Sequence, residues 1–207
     1  RYTPLNERCD ATSHRFSLRA SGLACVRATP AGARLFTTRR HRRQKGHLMS
    51  QRLNYFQLSA EAARKYLDFN NSVKKSPWVQ EIGDLVTIRA SQLNGCAFCL
   101  DMHVKEAKIH GERELRVHHI AIWRESTLFS ARERAVLAWT EAVTQLPPHG
   151  VSDAVYAEVR EQLSETELSD LTFLIVAING WNRLAIGFRV VPGSADALYG
   201  LEKAGLH

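Results

Sequence analysis

The sequence predicts an all-α helical bundle, and three features point to it. Apolar residues recur at three-, four- and seven-residue spacing, Ser-x-x-Glu start signals open two of the apolar stretches, and no stretch alternates apolar and polar residues as a half-buried strand would.

The elements follow in order. Ser59 is placed to cap a helix that runs to about Asn70, where Asn70-Asn71-Ser72 is expected to break it. Ser76-Pro77 starts the next, with proline at the first helical position, where its missing N–H costs nothing. Val79, Ile82, Val86 and Leu93 give that helix an apolar face, and Asn94-Gly95 ends it. A third helix spans about Cys96 to His110, followed by Gly111 at a position that favours a left-handed residue. The spacing predicts a fourth over Glu112–Arg124. Ser130 and Glu133 form a capping box for a fifth helix, which reaches about Gln145 before Pro147-Pro148-His149-Gly150. A sixth follows Ser152-Asp153 and ends near Leu163. A second capping box, Ser164 and Glu167, opens a long helix to about Arg189, ahead of Pro192-Gly193.

The chain has 207 residues, long enough for one domain with a substantial core. Its net charge is +7, unevenly spread. Residues 1–48 hold eleven Lys and Arg against Glu7 and Asp10, a net +9, which leaves −2 for residues 49–207. The basic segment reads as a disordered extension, either upstream sequence read through before a start at Met49 or an organellar presequence; an arm for nucleic acid is the third option. The domain itself, residues 49–207, is mildly acidic and calls for no nucleic-acid partner. The longest apolar run, Leu171–Ile178, is interrupted by Asn179, Asn182 and Arg183, so no membrane span is expected.

Four cysteines are too few for a stapled secreted scaffold of this length. Cys9 and Cys25 lie in the basic segment, whereas Cys96 and Cys99 form a single C-x-x-C in the domain. In the first turn of a helix this pair shares a face, so its sulfurs can approach, and the free amides and helix dipole there favour a thiolate. His103 lies four residues on, on the same face, where it can accept a thiol proton. The pattern predicts thiol redox chemistry in a reducing, cytoplasmic setting. Zinc would need a fourth ligand, His118 or His119, and no second C-x-x-C or H-x-x-x-H supplies a partner pair. Covalent haem attachment would need histidine where Leu100 stands, and a thioredoxin site would need a preceding strand.

The run Glu81-Ile82-Gly83-Asp84-Leu85-Val86, through Arg89-Ala90-Ser91-Gln92-Leu93-Asn94-Gly95-Cys96-Ala97-Phe98-Cys99 to Asp101-Met102-His103, resembles the alkylhydroperoxidase D (AhpD) family of the carboxymuconolactone decarboxylase-like superfamily. The likeness continues through Trp123-Arg124-Glu125 to Ala177–Leu184 and covers essentially Met49 to Gly193. It implies a helical fold that assembles as a homotrimer or homohexamer, and a thiol-dependent peroxidase or disulfide reductase. It implies Cys99 as the peroxide-attacking thiolate, Cys96 as the resolving cysteine and His103 as the proton relay. The substrate would be an organic hydroperoxide or a disulfide. No metal or bound organic cofactor is expected; an external dithiol protein, such as a lipoyl-bearing one, would restore the pair.

Two positions depart from the pattern. The relay carboxylate is usually a glutamate, and here it is Asp84, shorter by one carbon–carbon bond of about 1.5 Å. Phe98 stands where some peroxidases carry a second histidine, and it reads as a packing residue. Two rival functions remain open: decarboxylation of a muconolactone-like acid, and a non-enzymatic redox-sensing oligomer. Elsewhere, His118 and His119 read as solvated or packed, Trp181 and Asn182 as core packing with a satisfied polar group, and Arg132-Glu133-Arg134 as a solvated helix face.

Overall fold

One helix, α3 (Pro77–Asn94), carries buried residues on more than one face, and the bundle is built around it. The computed structural model describes residues 50–206, and the expectations for residues 1–48 lie outside the described residues. The other helices are α1 (Tyr55–Leu58), α2 (Ala60–Val73), α4 (Ala97–Ile109), α5 (Glu114–His119), α6 (Ala131–Thr144), α7 (Asp153–Arg160), α8 (Glu165–Phe188) and α9 (Asp196–Tyr199), with 3₁₀ segments at Ile120–Glu125 and Leu201–Ala204. No strand occurs among the described residues.

On one side of α3, Val79, Ile82 and Val86 pack with Val136 and Trp139 of α6, Val159 of α7, and Leu171, Leu174 and Ile175 of α8. On another, Leu85 and Ile88 meet Ala107, Ile120, Trp123, Phe129 and Leu137. Each such aliphatic side chain contributes about 1.5–3 kcal/mol by leaving water, so a helix buried on two sides is the natural anchor. Its last turns, at Ala90, reach a third cluster containing both cysteines.

Both predicted capping boxes form, at Ser130–Glu133 and Ser164–Glu167. Among the described residues α8 is the one helix long and apolar enough to cross a membrane. Here Leu168, Leu171, Leu174, Ile175 and Ile178 are buried in the bundle.

The structure corrects the sequence reading in several places. The predicted fourth helix divides: α5 gives way to a 3₁₀ segment with a non-helical residue, Ile122 (φ −122°, ψ 28°). In a 3₁₀ turn residues three apart eclipse, and this brings Ile120 and Trp123 into the core together. The Asn70-Asn71-Ser72 cluster does not stop α2, which continues to Val73. Ser59 makes no side-chain cap, because the short α1 runs directly into α2 and Ser59 closes it through its backbone N–H to Tyr55. The Arg132–Arg134 run is not simply solvated. The Arg132 guanidinium lies over Trp78 and bonds Glu167, while Arg134 donates to the Trp123 and Ser126 carbonyls.

The α2–α8 contact depends on a missing side chain. Tyr66 donates its hydroxyl to the Ala177 carbonyl at 2.8 Å, and a Cβ on Gly180 would lie 1.9 Å from the Tyr66 hydroxyl oxygen. Gly180→Ala should therefore destabilise the protein by about 1–3 kcal/mol through overpacking. In a Tyr66→Ala background the same change should instead stabilise it by about 0.5–1 kcal/mol, the ordinary helical preference for alanine. Urea unfolding of the four proteins measures the sign reversal; an equal effect in both backgrounds would refute the contact's role.

Candidate active site

The site begins with a turn of two residues, Gly95 and Cys96. Gly95 ends α3 in the left-handed region (φ 68°), and the Cys96 N–H bonds back to the Ser91 carbonyl at 3.0 Å. A side chain at Gly95 would meet nothing within 4 Å, so glycine answers a backbone requirement there. Cys96 is thereby the N-cap of α4, and its Sγ accepts the Cys99 N–H at 3.3 Å. A thiol stands where serine or aspartate usually caps a helix.

Both cysteines are free and buried, 2% and 3% exposed, among Ala90, Ile178, Ala185, Phe98 and Val190. Phe98 packs beside the pair, as expected of it. Hydrogen bonding from the Cys99 thiol lowers the Cys96 pKa; burial opposes this, and the Cys99 N–H and Asn182 reinforce it. The Cys99 thiol moves the other way, raised by that same bond, by burial and by the charge on Cys96. In the resting pair the negative charge thus favours Cys96, the residue to which the family resemblance gives the resolving role.

Behind the sulfurs lies a closed polar network. Asn182 is fully buried; its side chain donates to Ser91 Oγ (3.2 Å) and accepts from Asn94 (2.8 Å). Asn94 also donates to Asn179, which donates in turn to Thr144 Oγ1. Trp181 bonds Asn70 Oδ1 and packs on Phe56 and Tyr66. Buried polar atoms that keep their partners avoid a desolvation cost of about 1–3 kcal/mol each. The sequence reading of Trp181 as packing and Asn182 as a satisfied polar group holds, with Asn182 placed against the thiols.

His103, 7% exposed, shares its Nδ1 with Glu106 Oε2 at 2.6 Å. Asp84 is not its partner. The Asp84 carboxylate bonds His110 Nδ1 at 2.8 Å. Glu106 lies one turn along the same helix as His103, whereas Asp84 must reach across from α3. Asp84, Glu106 and His110 line one cavity of about 450 Å³ with Lys74, Thr87 and Leu174. Burial pushes the Glu106 carboxyl up, but the His103 bond and the charges of His103, Lys74 and His110 outweigh it and hold the pKa below the usual carboxylate range.

Three further features were missed in the sequence. Tyr55, on α1, is buried, and its hydroxyl is pushed up to about 12 by burial and then by the charges of Cys99, Tyr199 and Cys96. Only the Asn54 cap preceding it hinted at a helix there. Glu106 was signalled by its i,i+3 spacing from His103. Lys105, buried, bridges Asp101 (2.9 Å) and Asp196 (2.6 Å), while Asp101 also accepts the Gly193 N–H. Asp101 of the motif therefore secures the C-terminal segment to α4.

Away from the thiols, Glu141 gathers Arg89 (2.6 Å), Trp123 Nε1 (2.8 Å) and Arg124. His119 bonds Ser126 Oγ at 3.0 Å and His118 is exposed. No group of three His, Cys, Asp or Glu among the described residues is arranged to hold a metal ion.

These directions predict a thiolate absorbance at 240 nm that titrates below the ordinary thiol value of 9.0. Cys96→Ser should abolish that transition, whereas Cys99→Ser should keep it, because a serine hydroxyl still donates to the Cys96 sulfur. Retention of the transition in Cys96→Ser would reverse the assignment.

The carboxymuconolactone decarboxylase family model matches residues 60–142, from α2 into α6. That span includes Asp84, both cysteines, His103 and Glu106. The uncharacterized protein YdfG of Bacillus subtilis is 38% identical over 138 residues, 67% of this chain and 94% of YdfG. The crystal structure of a protein of unknown function from Agrobacterium tumefaciens, suggested to be the antioxidant defence protein AhpD, is 39% identical with a TM-score of 0.67, over 69% of this chain and 98% of that one. The AhpD core of an uncharacterized peroxidase-related protein from Ralstonia eutropha shares the fold at 17% identity (TM-score 0.60, covering 67% and 74%). The chain thus belongs to the AhpD-like carboxymuconolactone decarboxylase family.

Proposed function

We propose that this protein is a thiol-dependent oxidoreductase of the alkylhydroperoxidase type, reducing organic hydroperoxides or disulfides. The observation that carries the reading is the free dithiol at the N-terminus of α4, with one sulfur accepting a helix amide and an imidazole one turn further on.

In the proposed cycle Cys99 loses its proton to His103, four residues further along α4, and its thiolate attacks the terminal peroxide oxygen. The O–O bond breaks, the alcohol leaves with a proton, and Cys99 becomes a sulfenic acid. The Cys96 thiolate then attacks the Cys99 sulfur; hydroxide departs, takes a proton and leaves as water, and the disulfide forms. An external dithiol, such as a lipoyl-bearing protein, reduces the disulfide by exchange and is itself oxidised. No metal or organic cofactor enters the cycle. Phe98 leaves His103 as the single imidazole of the motif, so modest turnover is expected. A homotrimer or homohexamer in the cytoplasm completes the proposal.

Burial of both thiols favours a second reading, in which the disulfide state governs assembly and turnover is negligible. Dithiol-dependent consumption of an alkyl hydroperoxide tests the first. Cys99→Ser should lower it at least about 100-fold, within the range that nucleophile loss produces; equal rates would sink the mechanism. A reductant-dependent change of oligomer on size exclusion, without turnover, would favour the second. Decay of a muconolactone-like acid that survives replacement of both cysteines would revive decarboxylation.

A further inference from the structure

We propose that Glu106, rather than Asp84, is the positioning carboxylate of His103. Glu106 fixes the imidazole so that Nε2 is the bare, proton-accepting nitrogen. The inference rests on the oxidoreductase reading only for its catalytic consequence.

The geometry leads there in three steps. The contact between His103 Nδ1 and Glu106 Oε2, at 2.6 Å, is the only hydrogen bond the His103 side chain makes among the described residues. An ionised carboxylate can only accept, so the shared proton sits on Nδ1 and, in the neutral ring, the lone pair is left on Nε2. Every fully buried side-chain nitrogen and oxygen among the described residues has a partner. Nε2 has no hydrogen-bond partner among them, so it is not one of those fully enclosed atoms and is left for a further partner. The opposite tautomer would carry a proton on Nε2 and could not take one from a thiol.

Spacing explains why the glutamate succeeds. His103 and Glu106 are three residues apart on α4, so their side chains meet on one helical face with no interhelical gap to bridge. Asp84, on α3, is engaged by His110 instead. Asp84 and His110 line one cavity, and Glu106, half-buried, belongs both to that cavity and to the His103 pair. Glu106 is therefore also the group through which a proton taken up by His103 can pass to water.

The test combines imidazole ¹⁵N spectra with kinetics on the full chain. In the wild type, His103 should appear as the Nδ1–H tautomer. Glu106→Ala should shift it toward Nε2–H and lower kcat about 100-fold, at the lower end of a positioned acid–base contribution, with KM little changed. Glu106→Gln keeps an acceptor oxygen at the same reach, so it should restore the Nδ1–H tautomer and part of the rate. Asp84→Ala should leave the His103 tautomer as in the wild type. An unchanged His103 spectrum in Glu106→Ala, or a tautomer change in Asp84→Ala instead, overturns the proposal. If the wild type turns over neither a hydroperoxide nor a disulfide, the oxidoreductase reading fails while the spectra still decide the role of Glu106.

Discussion

Gly95 and Cys96 turn the chain from α3 into α4, and the site depends on that two-residue turn. The left-handed backbone lets the Cys96 N–H close the end of α3 while the Cys96 sulfur opens α4 as its cap. A residue with a Cβ would be strained at this φ by roughly 1–2 kcal/mol, and a longer turn would separate the sulfur from the amide it accepts.

The surroundings of the turn serve it in two ways. Behind it, Asn182, Asn94, Asn179 and Ser91 satisfy one another between α3 and α8, so amides can lie beside buried sulfurs without an orphaned donor. In front, Lys105 binds Asp101 and Asp196 and holds the C-terminal segment against α4. A buried lysine is tolerated only when its charge is matched; two carboxylates do so here, and burial cannot lower the Lys105 pKa against them. Removing either aspartate would leave a buried charge short of a partner, so the clamp acts as a unit.

The fold explains why the thiols and the ionisable side chains occupy different places. The sulfurs sit in an apolar cluster at the end of α3, whereas Asp84, Glu106 and His110 open into a cavity further along the α3–α4 contact. His103 stands between these regions on α4. The dithiol is thereby buried while these ionisable side chains border a cavity.

Local signals were strong enough to be read without a structure. Two capping boxes, the Pro77 start, the Gly95 stop and the Cys96–Cys99 cap are local features spanning at most four residues, and each appears where the sequence places it. The failures were nonlocal. The 3₁₀ segment at Ile120–Glu125 forms because Ile120 and Trp123 must both be buried, and Arg134 is drawn in by carbonyls of a distant loop. Tyr55 and Lys105 gain their meaning only from partners far along the chain. Asp84 was identified by its position relative to Cys96, but a count of residues does not say which imidazole a carboxylate on another helix will reach. The sequence alone determined the helices, the family resemblance and the thiol pair, because helix periodicity and caps are short-range. Tertiary structure decided that Asp84 faces His110 rather than His103 and that charge favours Cys96. Those outcomes depend on interhelical distance and burial, which exist only after the helices have packed.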